Sequence, residues 1–251
     1  MARVNSEFDR WRTAILVAAP ATLLATLVAH PYLAGRLPND AAVAVAVAGG
    51  TTRWALVHLA ASVASGLIML AFLAVRSYLR EAGEDRLSTL GVPFVVIGST
   101  LFAVLPGMEF APLAAAETGA TTAGIEATQE ALSSWFLIVL LSGALAFAIG
   151  VFGFARALLV TPLGDLALTR VAIVALIVWA ISRFVPLAAV QFYVQGLAAI
   201  VALWPLAYVM RIQPASYAAG RSRPSRPADA DHRGVRAAPQ AAGGNRTVDA
   251  V

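Results

Sequence analysis

The sequence contains no cysteine and no lysine; all 18 of its basic residues are arginine. Without cysteine there are no disulfides, no thiolate nucleophile, no cysteine-ligated zinc or iron–sulfur cluster and no S-palmitoylation. Without lysine there is no attachment point for retinal or pyridoxal phosphate as a Schiff base, and no P-loop lysine. Charge of either sign is scarce. Asp, Glu, Lys and Arg make up 13% of the 251 residues, about half the roughly 25% of a soluble globular chain.

What fills the space is apolar. Hydrophobic residues reach 59% and the mean hydropathy is +0.77, which excludes an ordinary water-soluble domain. Near-neutral apolar runs of about 20 residues recur, the length that a hydrocarbon layer of about 30 Å demands of a spanning helix. The expectation is an all-α integral membrane protein of the plasma membrane. It should be a bundle of about six transmembrane helices over residues 1–212, with both termini cytoplasmic and a disordered tail over 213–251.

The six runs cover residues 13–30, 54–79, 90–112, 135–160, 168–184 and 194–210. Hydrocarbon gives backbone groups no water to bond, and the runs are too continuous for barrel strands, so helices are the workable spans. Pro20 predicts a kink in the first run. Pro106 and Pro112 interrupt the end of the third, and Arg183 with Pro186 shortens the fifth. The first run, at about 17 apolar residues, exceeds the roughly 7 to 15 of a signal-peptide core and is read as a retained helix.

Orientation follows from the arginines. With a cytoplasmic N-terminus, fifteen of the 18 fall inside: Arg3, Arg10, Arg12, Arg76, Arg80, Arg86, Arg156, Arg170, Arg211 and six in the tail. Only Arg36 and Arg53 lie outside, with Arg183 between, a distribution that obeys the positive-inside rule loop by loop. The pI of about 10.1 therefore does not point to nucleic acid. Residues 213–251 carry six arginines against three aspartates, a net +3 out of the chain's +4. This Ala, Arg, Pro and Gly tail buries too little to offset its ordering entropy, and Arg221, Arg223 and Arg226 stand where they can meet anionic lipid. The expected partners are the bilayer, anionic lipid at the tail, and a membrane-protein partner or second copy.

Two outer connections stand out. Residues 41–48 alternate Ala and Val, too short a stretch to span. They form an interfacial helix capped by Asn39 or Asp40, a re-entrant piece, or a hydrophobic extension packed on the second helix. Residues 117–134 carry Glu117, Glu126 and Glu130 and no basic residue; 124–134 reads as a helical overhang of the fourth span.

The candidate polar pocket consists of His30, His58, Glu109 and Arg183. At 1.5 Å per residue, Glu109 sits roughly 28 Å up the third helix and Arg183 roughly 20 Å up the fifth; His30 and His58 are near the outer ends of the first and second. All four thus share the outer third of the bilayer, where an ionisable side chain must pair or face water. Glu109 and Arg183 are natural ion-pair partners, unless Arg183 snorkels to the headgroups and Glu109 lies beyond a helix ending at Pro106. Pro106-Gly107 is compatible with a broken helix lining a cavity. His30, His58 and Glu109 would also make a two-histidine, one-carboxylate metal set. They lack any short-range ligand spacing, and no metal or cofactor is assigned. Against that, His58 can pack on the Trp54 ring or bond a carbonyl one turn back.

Ala61 with Ser65, and Ala146, Gly150 and Gly153, form small-residue stripes suited to close helix contact. Trp54, Trp135, Trp204, Tyr193 and Tyr208 suit interfacial belts. No nucleophile elbow, dinucleotide-binding fingerprint or paired catalytic carboxylates occur, and proline and charge positions do not repeat between the halves. Three function classes remain. The first binds or conducts a small solute or ion through an outward-facing polar pocket. The second is an accessory subunit of a membrane complex, and the third a redox protein with metal or haem at His30 and His58.

Overall fold

The computed structural model describes residues 2–161, 163 and 165–212; the tail predicted to be disordered, 213–251, lies outside the described residues. These form α1 (Ala2–Ala29), α2 (Asp40–Gly49), α3 (Thr51–Glu81), α4 (Leu87–Met108), α5 (Phe110–Glu117), α6 (Thr122–Val160), α7 (Leu166–Ser182), a π-helical turn (Val190–Val194) and α8 (Gln195–Ile212). Apart from one isolated bridge between Arg36 and Leu187, the described residues form no β-structure. Five helical stretches are long and apolar enough to cross a membrane: Asp9–Ala29, Thr51–Glu81, Leu87–Glu117, Thr122–Val160 and Val190–Ile212. The apolar α7 has 17 residues and is shorter.

Side chains start the helices where the chain turns. The Glu84 carboxylate accepts the N–H groups of Leu87 and Ser88 at 2.6 and 3.1 Å, opening α4. Asp165 accepts from Leu168 N–H at 3.0 Å and opens α7, while Thr121 caps α6 through Gly124 N–H at 3.3 Å. Each satisfies a donor that the first turn of a helix cannot pair internally. The 39-residue α6 is about 58 Å long, and its first turns include the helical stretch expected at 124–134.

The Ala/Val run is α2, and its cap is Asn39, whose side chain accepts from Ala42 N–H at 3.2 Å. It packs chiefly on α6 near Ile125 rather than along α3, burying Val43, Ala44 and Val47 in a smaller cluster with Leu33, Trp54, Leu113 and Phe192. A larger cluster fills the bundle, with Phe72, Phe147, Phe154 and Trp179 in ring contact at its centre.

The closest helix pair is α4 against α6. A Cβ on Gly98 would stand 2.6 Å from the Phe147 nitrogen, and one on Gly150 would stand 2.6 Å from the Val95 nitrogen. Gly150 and Gly153 of the predicted stripe Ala146, Gly150 and Gly153 meet Gly91 on α4, while Gly98 of α4 meets Phe147 and Gly143 further along the seam. Such pairs let backbones touch where lipid supplies no hydrophobic drive. Outward, α7 exposes Val171, Val174, Val178 and Ile181, and α6 exposes Ile138, Leu141, Leu145 and Ile149, continuous apolar stripes of the kind that face lipid.

At the end of the bundle where α1 begins and α3 stops, Arg12 is 2% exposed. Its guanidinium donates to both oxygens of Glu81, to Ser77 Oγ at 2.6 Å and to Asp9 at 3.3 Å, tying α1 to α3.

Candidate functional site

The opposite end holds a cavity of about 570 Å³, and His30, His58, Glu109 and Arg183 all lie on its wall. Each is placed there by a local feature of the chain.

Glu109 sits in a helix break. Pro112 has no N–H to offer the carbonyl four residues back, that of Met108, and its ring crowds that oxygen, so α4 stops at Met108 and α5 restarts at Phe110. The interruption falls at the end of the third run, where Pro106 and Pro112 were expected to disturb it. The Glu109 carboxylate is 7% exposed and accepts from Gln129 Nε2 at 3.0 Å, while its backbone carbonyl accepts the Trp54 indole N–H at 3.2 Å. The second carboxylate oxygen is buried with no hydrogen bond among the described residues.

His58 does both things expected of it on α3: its Nδ1 lies 2.7 Å from the Trp54 carbonyl oxygen and its ring is 4.4 Å from the Trp54 ring. His30, one residue beyond α1, stacks on Phe192 at 4.7 Å and places Nδ1 2.7 Å from the Pro31 carbonyl oxygen. The two Nε2 atoms face each other at 3.4 Å.

Arg183 ends α7. It is 7% exposed, and its guanidinium carbon stands 3.7 Å from the centre of the Phe102 ring, 4.2 Å from Phe147 and 5.6 Å from Trp179. Among the described residues no carboxylate is within ion-pair reach of it, and its buried Nε has no hydrogen bond. The expected Glu109–Arg183 ion pair is therefore corrected. Matched depth along two helices does not fix the direction in which each side chain points. Glu109 turns to Gln129 on the α6 overhang, whereas Arg183 rests on rings from α4, α6 and α7.

No group of three or more His, Asp or Glu among the described residues is placed to hold an ion, although His30, His58 and Glu109 share the cavity. Ala61 and Ser65 line the cavity; their small side chains leave space that a larger residue would fill.

Two further lining residues, Gln191 and Gln195, were not singled out from the sequence. Gln191 Nε2 donates to the carbonyls of Ser182, Arg183 and Val185 at 3.2, 3.3 and 2.7 Å, satisfying oxygens left open where α7 ends. It also accepts from Gln195. Two glutamines one turn apart in an apolar run were the available signal.

One wall is thin. Phe136, Leu137, Leu140 and Leu141 of α6 line the cavity, yet no residue of 131–142 is buried, so this stretch separates the cavity from the surroundings by one helix. Compared with protein-family models, with curated proteins and with solved structures, the chain matches none.

Proposed function

We propose that this chain is a six-span protein of the plasma membrane whose outward-facing cavity binds a small solute carrying an anionic group on an apolar body, for uptake or transfer across the outer leaflet. In this arrangement α7 is the short fifth crossing and the arginine-rich ends of the helices face the cytoplasm, as the positive-inside rule requires.

Arg183 carries this reading. Burying an unpaired ion costs several kcal/mol, and a desolvated cation–π contact returns about 2 kcal/mol. The rings hold the guanidinium without compensating its charge; a carboxylate or phosphate entering the cavity would do so through a bidentate pair. The rest of the lining, including Leu23, Leu27, Leu105 and Leu137, suits an aliphatic body, and about 570 Å³ falls within the roughly 300 to 1,000 Å³ of ligand sites. The thin wall at 131–142 supports access from the lipid phase.

The test is binding of a radiolabelled long-chain carboxylate to the protein in nanodiscs. Saturable binding near one per chain, lost in Arg183→Gln and not reproduced by the matching alcohol, is expected; equal retention by the variant rejects the reading. Topology is tested separately, because the cysteine-free background makes a single introduced cysteine unambiguous. Cysteine in place of Ala120 should react with an impermeant maleimide from outside, and labelling from the cytoplasmic side alone rejects the orientation.

A second reading is favoured by the same uncovered stretch of α6: a helix of another membrane protein covers 131–142, and the chain is an accessory subunit. Cross-linking from position 138 to lipid alone argues against it.

A further inference from the structure

The two histidines present an electron pair each that nothing among the described residues uses. Nδ1 of His58 is 2.7 Å from the Trp54 carbonyl oxygen, and Nδ1 of His30 is 2.7 Å from that of Pro31. A carbonyl only accepts, so in both neutral rings Nδ1 carries the hydrogen and Nε2 carries the lone pair. The two Nε2 atoms are 3.4 Å apart, and neither has a hydrogen to give the other. Two lone pairs converging in this way call for an electrophile between them.

The separation selects which one. A proton shared between two nitrogens draws them to hydrogen-bond distance, about 2.7 to 3.2 Å. Two imidazole nitrogens, each about 2.0 to 2.1 Å from one tetrahedral ion, stand about 3.3 to 3.4 Å apart. The observed 3.4 Å matches the second case. Metal-bound imidazoles also donate their other N–H to a carbonyl or carboxylate, which fixes tautomer and ring orientation, and both rings here do so. Both are held in addition by aromatic neighbours, His30 by Phe192 and His58 by Trp54. Their arrangement needs little reorganisation on binding.

We infer that His30 and His58 form a two-imidazole site for a single divalent transition-metal ion of the Zn²⁺ class, with its remaining coordination positions turned into the cavity. Imidazole suits Zn²⁺, Cu²⁺ and Ni²⁺ over Mg²⁺ or Ca²⁺, which prefer oxygen ligands. Two protein ligands leave positions for water or an entering group, so the ion is exchangeable rather than structural. The Glu109 carboxyl lies on the same wall, with one oxygen that has no hydrogen bond among the described residues, and is not needed as a ligand.

This site goes beyond the solute reading and fails separately from it: its probe is the metal alone, and Arg183 takes no part. The experiment uses the full chain purified through a histidine-free tag, with His232→Gln as the background so that no tail histidine contributes. Titration with Co²⁺, followed by visible absorption and by Zn²⁺ competition, should show one ion per chain with the intense bands of a four-coordinate site. His30→Gln and His58→Gln should each weaken binding by more than roughly tenfold, and Zn²⁺ should raise the melting temperature of the background protein but of neither variant. No saturable binding, or binding that both substitutions leave unchanged, overturns the inference. If His58→Gln does not accumulate, His30→Gln decides alone, since its side chain lies just beyond α1; full affinity in that variant overturns the inference as well.

Discussion

Arg12 and Arg183 are buried at opposite ends of the bundle, 2% and 7% exposed, and have been given opposite surroundings. Arg12 is met by Glu81, Ser77 and Asp9; Arg183 is met by three aromatic rings and, among the described residues, by no carboxylate within ion-pair reach. The acids differ in the same sense. At the first end Asp9 and Glu81 share a cation, whereas at the second Asp40 lies near Glu130, and Glu109 relies on a neutral amide. One end spends its charges on joining helices. The other leaves Arg183 without a counter-ion and one Glu109 oxygen without a hydrogen bond, among the described residues, at the wall of a cavity, which suits the charged ligand proposed for it.

The largest effect that breaks this contrast comes from the α4–α6 seam, which supplies the Phe102 and Phe147 rings beneath Arg183. Gly98→Leu drives a side chain into the Phe147 backbone, and overpacking of this kind typically costs about 1 to 3 kcal/mol, occasionally more. Because the obstacle is backbone, the upper end of that range is expected, read as a lowered melting temperature with carboxylate binding lost. Unchanged melting would mean that the seam is not the tight contact described.

Arg12→Met should destabilise by about 1 kcal/mol. Its partners Asp9 and Glu81 are nearly half exposed, so water can hydrate them once the guanidinium is gone, and the loss is close to that of an exposed pair plus a few hydrogen bonds. Carboxylate binding should be untouched. A strong loss of binding in this variant would erase the division of labour between the two ends.

The smallest effect is at Asp40. Burial first, and the charge of Glu130 second, hold its carboxyl above the ordinary carboxylate range. A raised acid contributes stability in its protonated form, present below the ordinary range and lost as pH rises through the raised value. Lowering the pH from about 7 to about 4 should therefore stabilise the parent relative to Asp40→Asn, measured by thermal melting at each pH. A parallel response of the two proteins would contradict the assignment.

Much of this was legible in the sequence, along one dimension. Apolar runs marked every long helix and α7, Asn39 was recognised as a possible cap of α2, and depth counting brought His30, His58, Glu109 and Arg183 to one level. Direction around each helix was not legible, which is why Glu109 was matched to Arg183 when it faces Gln129. Gln129 lies in a polar overhang where one more polar residue carries no signal. Ala61 and Ser65 illustrate a different ambiguity: a small side chain permits close approach of a neighbour or leaves room for a cavity, and only the position of the neighbour decides. The interruption at Glu109 falls where Pro106 and Pro112 were read as disturbing the end of the third run; Pro112, three residues further on, bears on it because a proline acts on the carbonyl four residues before it.

The most direct test of the contrast is the sign of the stability change in Arg183→Met, measured as reversible unfolding in detergent alongside the parent. Replacing buried ion pairs by apolar side chains of similar volume is often neutral or stabilising by about 1 to 4 kcal/mol; an unpaired charge has no Coulombic gain to lose, and the prediction is a stabilisation together with complete loss of carboxylate binding. A destabilisation of similar size would contradict it, because it would show that Arg183 is already compensated and serves the fold as Arg12 does.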